Sequence, residues 1–333
     1  MQEYNPFYCD PTHTNYNRRA YHHDYTRSAR YLITFIKQQD VGPLSNIKES
    51  AELPVHNAYC ELSVVGRVIP TAIDDWLIRY PQIKVPVYAV MPDHLHVCVN
   101  VTDALPNGLS RAIGSLKGSI SSEYHFSLPD QVRPQKMQTL FEKGFNDRIA
   151  YSQEQWERQI HYTLDNPRRF LLKRAYPDFM LRRWQLTVGK DRYIAKGNVF
   201  LLKQPHVFHV KFSRRYDDSE KVKWMEECRT HILNGGIPVS PFIHPMEKAI
   251  RDYAVEEGYG IVRVTTNGFA ERESATGAEF ELMAQGRLLL IAPKEHSTRK
   301  ESLSYSWAQQ LNGLAMRIVN TFRGNVSGLI RAL

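Results

Sequence analysis

Two histidines separated by a single residue are the sharpest chemical feature of this 333-residue sequence. His94 and His96 lie in the run HLHVCVNV at 94–101, whose β-branched residues predict a strand. Side chains alternate across a strand, so the two imidazoles share one face and Leu95 takes the other. Two adjacent imidazoles can bind one metal ion. A solvated or hydrogen-bonded pair of histidines is the commoner explanation of such a pattern.

A tyrosine and an asparagine form a second candidate pair. Tyr162 and Asn166 lie in a helix predicted over 153–166, which Pro167 is expected to end. Residues four positions apart share a helix face, so the phenol and the amide should project in the same direction. A helical tyrosine most often serves packing, and this alternative stays open on spacing alone.

The first half of the chain supplies the elements that would hold these residues. Aromatic, β-branched and periodic apolar residues predict strands at 31–36, 85–90 and 94–101 and helices at 68–80, 107–124 and 153–166. The two later strands flank a tight turn and should pair antiparallel. Helices alternating with a small antiparallel sheet predict an α+β domain.

The second half alternates strands and helices. Strands are predicted at 206–212, 237–243, 260–266 and 287–293, with helices at 219–234, 245–257, 277–284 and 303–321. Four β-α repeats in order predict a parallel, Rossmann-like sheet of the α/β class.

The net charge of +8 indicates a polyanionic partner, because the sequence pI is near 9.2. The whole surplus lies in residues 171–223, which hold 13 basic and 5 acidic side chains. Basic and aromatic residues interleave there, as in surfaces that bind unpaired nucleic acid. The candidate DNA-binding residues in this segment are Arg174, Arg182, Arg183, Arg214 and Arg215. A solvated surface between domains is the alternative.

Cysteine usage and hydropathy indicate the compartment. Cys9, Cys60, Cys98 and Cys228 have no CxxC spacing, so neither a zinc ribbon nor a disulfide framework is indicated. The N-terminus has no apolar signal core, and the longest aliphatic run, 288–292, is far too short for a membrane span. We therefore expect a cytoplasmic protein with no membrane partner.

Seven short motifs in order resemble one enzyme family. They are RRA and DYT at 18–26, YLITF at 31–35, MPDHLH at 91–96, LKG at 116–118, FNDRI at 145–149 and YTLDNP at 162–167. Residues 18–170 are in this respect similar to the single-tyrosine HUH transposases, named for their His-hydrophobic-His motif, and most of all to the REP-associated tyrosine transposases.

The resemblance implies a ferredoxin-like HUH domain that cuts and rejoins single-stranded DNA. Tyr162 would attack a phosphodiester and form a 5′-phosphotyrosine, leaving a free 3′ hydroxyl that allows rejoining without ATP. His94, His96 and Asn166 would hold the metal, and two imidazoles with an amide suit Mg²⁺ or Mn²⁺. Lys117 is a candidate DNA contact. The family likeness also implies a homodimer and a DNA substrate with a foldback hairpin.

Residues 205–322 resemble, more weakly, the Rossmann-like fold of DNA-processing protein A. The motifs are Gly236, SPF at 240–242, EK at 247–248, NGF at 267–269 and GRLLL at 286–290. Such folds bind ligands at the carboxyl ends of parallel strands, which here lie near Ser240 and Asn267.

These observations together predict three parts. Residues 1–170 form the catalytic HUH domain, 171–204 a basic connector, and 205–333 a Rossmann-like domain. The expected activity is metal-dependent DNA cleavage and strand transfer. The alternative is a catalytically inactive DNA-binding protein or a nucleotide-sensing regulator on the same scaffold.

Overall fold

The computed structural model describes residues 20, 23–49, 58–204, 206–270, 275–293, 295–298, 302–322 and 330–332. The chain divides into two compact units, the first ending at Leu171 and the second beginning at Leu172. Cys9, Arg18 and Arg19 lie outside the described residues. Cys60, Cys98 and Cys228 are free thiols. No helix in the described part of the chain is long and apolar enough to cross a membrane.

The first unit contains the predicted strands and helices and three further strands. Its elements are β1 (Ala29–Ile36), β2 (Ser45–Glu49), β3 (Ala58–Leu62), α1 (Val68–Arg79), β4 (Ile83–Val90), β5 (His94–Val101), α2 (Gly108–Ser127), β6 (Asn146–Ala150) and α3 (Gln153–Ala175), whose last turn runs into the second unit. The predicted antiparallel pairing of β4 with β5 is confirmed. Strands β2 and β3 form a separate hairpin.

The main sheet of this unit is antiparallel, with strand order β4-β5-β1-β6. Alternation along β1 and β5 sends Tyr31, Ile33 and Leu95 into a core with apolar residues of α1 and α2. The opposite face carries Leu32 and Cys98, which pack against Trp156 of α3. The sheet is therefore covered on one face by two helices and on part of the other by α3.

Helix α3 continues through Pro167 to Ala175, so the prediction that it ends at Asn166 was wrong. A proline inside a helix removes one backbone hydrogen bond and costs about 3 kcal/mol. Buried packing of Pro167 offsets this cost. A bidentate ion pair also spans the proline, because Arg168 Nε and Nη2 lie 2.5 and 3.0 Å from the two oxygens of Asp165.

The second unit contains the four predicted parallel strands within a larger mixed sheet. Its elements are α4 (Pro177–Met180), β7 (Arg183–Val188), β8 (Asp191–Gly197), a 3-10 helix (Val199–Lys203), β9 (Val207–His209), α5 (Asp218–Leu233), β10 (Ile237–Ser240), α6 (Pro245–Glu256), β11 (Ile261–Val264), α7 (Gly277–Ala284), β12 (Leu288–Ala292), α8 (Tyr305–Phe322) and β13 (Ile330–Ala332). The sheet order is β13-β7-β8-β12-β11-β10-β9. Strands β9 to β12 are parallel, and β8, β7 and β13 extend the sheet antiparallel.

The stretch 171–204 differs from the basic connector that we predicted. Strands β7 and β8 form a hairpin whose two-residue turn starts at Gly189, with φ of +64°. Such a turn needs a residue that accepts positive φ, which glycine does without strain. Leu186 and Val188 are buried in the sheet core while neighbouring residues stay polar. Among the basic residues of this stretch, Arg183, Arg192 and Lys196 therefore belong to strands of an ordered sheet.

Trp76 gives a test of the packing behind the main sheet of the first unit. Its side chain is fully buried, and its Nε1 donates to the carbonyl of Ala112, 2.8 Å away, joining α1 to α2. We expect Trp76→Ala to lower the free energy of unfolding by about 3–5 kcal/mol, because a large cavity results and the hydrogen bond between α1 and α2 is lost. Urea unfolding followed by circular dichroism measures the change. Ile78→Ala, at a side chain 78% exposed, should change it by less than about 0.5 kcal/mol; equal effects would contradict this packing.

Candidate functional site

The two histidines of β5 lie on the sheet face opposite the α1 and α2 core, as the alternation predicted. Their Nε2 atoms are 3.1 Å apart, and their rings meet at 75°. Two atoms about 2.1 Å from one octahedral ion, at right angles, lie about 3.0 Å apart. A direct hydrogen bond between the rings has a similar length. The pair therefore has the spacing of two neighbouring metal ligands and of a hydrogen-bonded pair alike.

The other nitrogen of each ring is held by a neighbouring side chain. His94 Nδ1 lies 2.7 Å from Asp93 Oδ1, and His96 Nδ1 lies 2.8 Å from Thr34 Oγ1. An ionised carboxylate only accepts, so Asp93 favours a proton on Nδ1 of His94 and a lone pair on its Nε2. Such outer partners orient the histidines of metal sites. The two Nε2 atoms consequently point toward the same place.

His96 is held in its neutral form by its surroundings. The residue is 7% exposed, and burial lowers its pKa to about 3, with the nearby charges of His94 and Arg148 adding to the effect. The hydrogen bond between Asp93 and His94 lowers the pKa of the Asp93 carboxyl. At physiological pH, His96 is therefore a neutral imidazole, the form that binds metals.

Helix α3 brings Tyr162 to this pair of histidines. The rings of Tyr162 and His96 meet edge to face, with centroids 5.6 Å apart. The helix is fixed to the sheet through Trp156 and through Thr163, whose Oγ1 lies 3.3 Å from Cys98 Sγ. Tyr162 is only partly buried, so its ring is both held against the site and open to solvent on one side.

Arg169 lies against the same tyrosine. Two helical turns separate Arg169 from Tyr162, and its guanidinium carbon is 5.7 Å from the centre of the Tyr162 ring. The arginine is 6% exposed, and its Nη1 lies 3.9 Å from Asp165 Oδ2. A guanidinium over a tyrosine ring is attracted to the ring electrons and restricts the ring's motion. Tyr162 thus lies between an imidazole and a buried positive charge.

Asn166 lies one turn beyond Tyr162 with its amide buried. The residue is 8% exposed, and its Nδ2 has no hydrogen-bond partner among the described residues. Rotation of the amide by 180° would exchange this atom for the oxygen, which is a ligand for hard cations. The described residues contain no cluster of three His, Cys, Asp or Glu side chains suited to a metal. A divalent ion beside the histidines would therefore take its remaining ligands from amide, substrate or water oxygens.

Lys117 has a structural contact that the sequence did not predict. Its Nζ donates to the carbonyls of Glu142 and Gly144, at 2.5 and 2.7 Å, and lies 5.9 Å from the centre of the Phe35 ring. Partial burial lowers the pKa of its ammonium. Lys117 therefore holds the segment before β6, and its contact with DNA stays a prediction.

The candidate DNA-binding arginines occupy different settings. Arg182 pairs with Asp178 at 2.7 Å and lies over the ring of Trp184. Arg183 begins β7 and is half-buried, whereas Arg174 is exposed in the last turn of α3. Arg214 and Arg215 are exposed in the loop before α5. Their role in binding DNA stays a prediction.

The carboxyl ends of the parallel strands are closed by internal hydrogen bonds. Glu247 of α6 is buried, and its carboxylate accepts from the backbone N–H groups of Phe212, Ile243 and His244 at 3.0 to 3.2 Å. Asn267 Oδ1 likewise accepts from Gly268 N and Ser297 N. Backbone N–H groups at such a helix start often bind phosphate. Here a protein carboxylate occupies them.

Three side-chain contacts at the site were not predicted from the sequence. Thr34 was hidden because its role depends on pairing opposite His96, which is a long-range contact. Arg169 has a visible signal, since it lies seven residues after Tyr162 on the same helix face, but the expected helix end at Pro167 concealed it. Asp93 directly precedes the first histidine and needed the turn geometry to reveal its hydrogen bond.

Comparisons with known proteins include a distant structural likeness. No protein-family model matches the chain, and no curated protein matches it. Among solved structures, a REP-associated tyrosine transposase bound to a REP hairpin is similar over 44% of this chain and 71% of that chain. The sequence identity is 13% and the TM-score 0.32, values too low to define the fold or the activity of this chain.

The neutral state of His96 predicts how stability depends on pH. An unfolded histidine has a pKa near 6.5, so only the unfolded chain binds this proton between about pH 6.5 and pH 3. Folded His96 in its neutral form therefore contributes fully to the free energy of unfolding above pH 6.5, and this contribution is lost as the pH falls toward 3. From pH 7.5 to pH 5, it amounts to a loss of about 2 kcal/mol.

Urea unfolding with a metal chelator present measures this effect. His96→Gln, which cannot take up the proton, should lose about 2 kcal/mol less than the wild type between the two pH values. Comparing each protein with itself at pH 7.5 separates the proton effect from the packing change. Identical losses for both proteins would show that His96 is protonated in the folded state.

Proposed function

We propose that this protein is a metal-dependent endonuclease and strand transferase for single-stranded DNA, a single-tyrosine HUH transposase of the REP-associated kind. The observation that carries the proposal is the contact of the Tyr162 ring with His96, which itself lies beside His94 on one face of the sheet. A tyrosine hydroxyl can act as a nucleophile, and two adjacent imidazoles can bind a metal ion that assists it.

The topology of both units supports this proposal. In the first unit, apart from the β2–β3 hairpin inserted after β1, the order of β1, α1, β4, β5, α2 and β6 is β-α-β-β-α-β, with β1 and β5 central in the sheet. This order is typical of ferredoxin-like domains. In the second unit, four consecutive parallel strands joined by helices support a Rossmann-like domain.

The reaction that we propose transfers one phosphodiester bond to the protein. Tyr162 Oη attacks the phosphorus, the phenol loses its proton to solvent, and the bond to O3′ breaks as that oxygen takes up a proton. The product is a 5′-phosphotyrosine, which a 3′ hydroxyl of another strand can attack in the reverse sense. A phenol has a pKa near 10 and is a poor nucleophile at neutral pH.

Side chains around Tyr162 would assist this step. The Arg169 guanidinium favours negative charge developing on the phenol oxygen and holds the ring in place. His94, His96 and Asn166 would bind Mg²⁺ or Mn²⁺, which supplies positive charge that polarises the phosphate. The Nδ1 hydrogen bonds to Asp93 and Thr34 would keep both imidazoles aimed at that ion.

The partners belong to the same proposal. We propose single-stranded DNA with a hairpin as the substrate, a homodimer as the active assembly and the cytoplasm as the compartment. The exposed Arg214 and Arg215 would contact phosphates. A nucleotide-sensing role is disfavoured, because the Glu247 carboxylate already occupies the backbone N–H groups that would bind a phosphate.

Covalent attachment to DNA tests the activity. A labelled single-stranded oligonucleotide with a hairpin should form a denaturation-resistant adduct with the protein in Mn²⁺, and a chelator should prevent it. Tyr162→Phe should abolish the adduct, because it removes the phenol oxygen that attacks the phosphorus. Tyr151→Phe, at a tyrosine 61% exposed in the same unit, is the matched control and should form it normally. An adduct that survives Tyr162→Phe would refute the assignment, as would none with wild type across a hairpin library.

Salt dependence tests the basic segment. Each phosphate contact on a single strand adds about 0.7 to the slope of log affinity against log salt. Reversing Arg214 and Arg215 to Glu should reduce the slope by about 1.4, measured by fluorescence anisotropy. The matched control reverses the exposed Lys84 and Lys136, with the same change in net charge, and should leave the slope unchanged. Equal slopes for the two variants would remove these arginines from the DNA interface.

A further inference from the structure

Arg148 of β6 projects from the face of the sheet that carries the two histidines. It pairs with Leu32 of β1, which in turn pairs with Cys98 of β5. Directly paired residues project to the same side of a sheet, and Leu32 and Cys98 pack against Trp156 on the face opposite the α1 and α2 core. The Arg148 side chain is exposed there. An exposed guanidinium therefore lies on the same face as the candidate site.

The backbone at Arg148 is fixed from both faces of the sheet. On the histidine-bearing face, Gln159 Nε2 of α3 donates to the carbonyl of Arg148 at 3.2 Å, one helical turn before Tyr162. On the core face, Tyr25 Oη donates to Oδ2 of the neighbouring Asp147 at 2.7 Å. Arg148 consequently has a defined position relative to the helix that carries Tyr162.

The positive charge of Arg148 is not neutralised by the described part of the chain. The adjacent carboxylate, that of Asp147, projects to the opposite face, and Arg148 forms no ion pair with a described residue. Arg30, on the histidine-bearing face of β1, differs, because its Nη1 donates to Gln153 Oε1 at 2.5 Å and its guanidinium lies over the Trp156 ring. The donors of the Arg148 guanidinium therefore remain available to an anion.

The charge of Arg148 reaches the histidines. Burial lowers the pKa of His96, and the positive charges of His94 and Arg148 add to this effect. Strand β6 lies two strand spacings, about 10 Å, from β5, with β1 between them. A group lying over β1 can therefore contact the long Arg148 side chain on one side and the imidazoles on the other.

The charges around this space suit an anion. A metal ion bound by the histidines would be repelled by the Arg148 guanidinium unless a negative group lay between them. The Asp93 carboxylate does not fill this space, because it bonds to Nδ1 of His94, on the side of the ring away from Nε2. A phosphodiester has two nonbridging oxygens, which can contact an arginine and a metal ion at once. A DNA phosphate over β1 would thus balance both positive groups.

We infer that Arg148 binds the nonbridging oxygens of the DNA phosphate that lies at His94 and His96. On the proposed function, on which this inference rests, that phosphate belongs to the bond that Tyr162 attacks. Arg148 then stabilises the negative charge that collects on these oxygens as the phenol oxygen adds to phosphorus. It supplies positive charge from the side opposite the histidines.

Equilibrium binding to DNA with single uncharged phosphates tests the contact. Methylphosphonate replaces one phosphate at a time in a single-stranded hairpin oligonucleotide. Tyr162→Phe protein, which cannot cleave, is titrated with each oligonucleotide in a chelator, and fluorescence anisotropy gives the affinity. Methylphosphonate at the contacted phosphate should weaken binding about tenfold, because a hydrogen bond between two charged groups is lost.

A double variant shows whether Arg148 makes that contact. With Arg148→Gln added to Tyr162→Phe, the unmodified oligonucleotide should bind about tenfold more weakly, and methylphosphonate at that one position should weaken binding by less than about a further twofold. This dependence of one loss on the other is the coupling expected of a direct contact.

Two further variants serve as controls. Arg111→Gln removes the same charge from an exposed arginine of α2, which covers the other face of the sheet, and should leave the effect of every methylphosphonate unchanged. Arg148→Lys keeps the charge without the paired donors and should restore part of the affinity. Folding should tolerate both changes at Arg148, because Gln159 bonds to its backbone carbonyl.

Adduct formation in Mn²⁺ separates failure of the inference from failure of the proposed function. In protein with an intact Tyr162, Arg148→Gln should slow the adduct at least about tenfold, with cleavage at the phosphate that shows the coupling. Cleavage by wild type without coupling at the cleaved phosphate would overturn the inference and leave the proposed function standing. Coupling at one phosphate with no adduct from wild type would retain Arg148 as a phosphate ligand and refute only the proposed activity. Absence of coupling at every phosphate overturns the inference whether or not an adduct forms.

Discussion

The register between β1 and β5 is the constraint on which the candidate site depends. Because it sets Thr34 opposite His96 and Ile36 opposite His94, both imidazoles project away from the core formed with α1 and α2. A slip of one residue would reverse every side chain of a strand and bury two polar rings in that core. Burial of Tyr31, Ile33 and Leu95 on the other face opposes such a slip. The hydrophobic core thus specifies where the polar site lies.

Helix α3 brings Tyr162, the proposed nucleophile, to the histidine-bearing face of the sheet. Packing of Trp156 and Thr163 against Leu32 and Cys98 fixes the helix, and Tyr162 lies between these two packed residues along the chain. Continuation of the helix beyond Pro167 then matters for chemistry, because it places Arg169 over the Tyr162 ring. A helix ending at Asn166 would have left that arginine in a loop. The ion pair between Arg168 and Asp165 across the proline helps to keep the two turns continuous.

Local patterns allowed much of this arrangement to be predicted from the sequence. Alternation in HLHVCVNV predicted the strand and the shared face of His94 and His96, and four-residue spacing linked Tyr162 to Asn166. The parallel strands β9 to β12 followed from apolar runs alternating with helical periods. The contact of Thr34 with His96 depends on the pairing of β1 with β5, two strands far apart along the chain, which no local pattern encodes. Gly189 indicates the turn between β7 and β8, but the basic residues on both sides of it favoured a charged connector over a pair of strands.

The central claim is that Tyr162 forms a covalent bond to DNA. The most direct measurement is peptide mass spectrometry after reaction of the wild-type protein with a hairpin oligonucleotide in Mn²⁺ and nuclease digestion of the attached strand. We predict a nucleotide mass on the peptide that contains Tyr162, with fragmentation assigning it to the phenol oxygen. A nucleotide found on another residue, or an unmodified Tyr162 peptide in protein that has cleaved its DNA, would contradict the account.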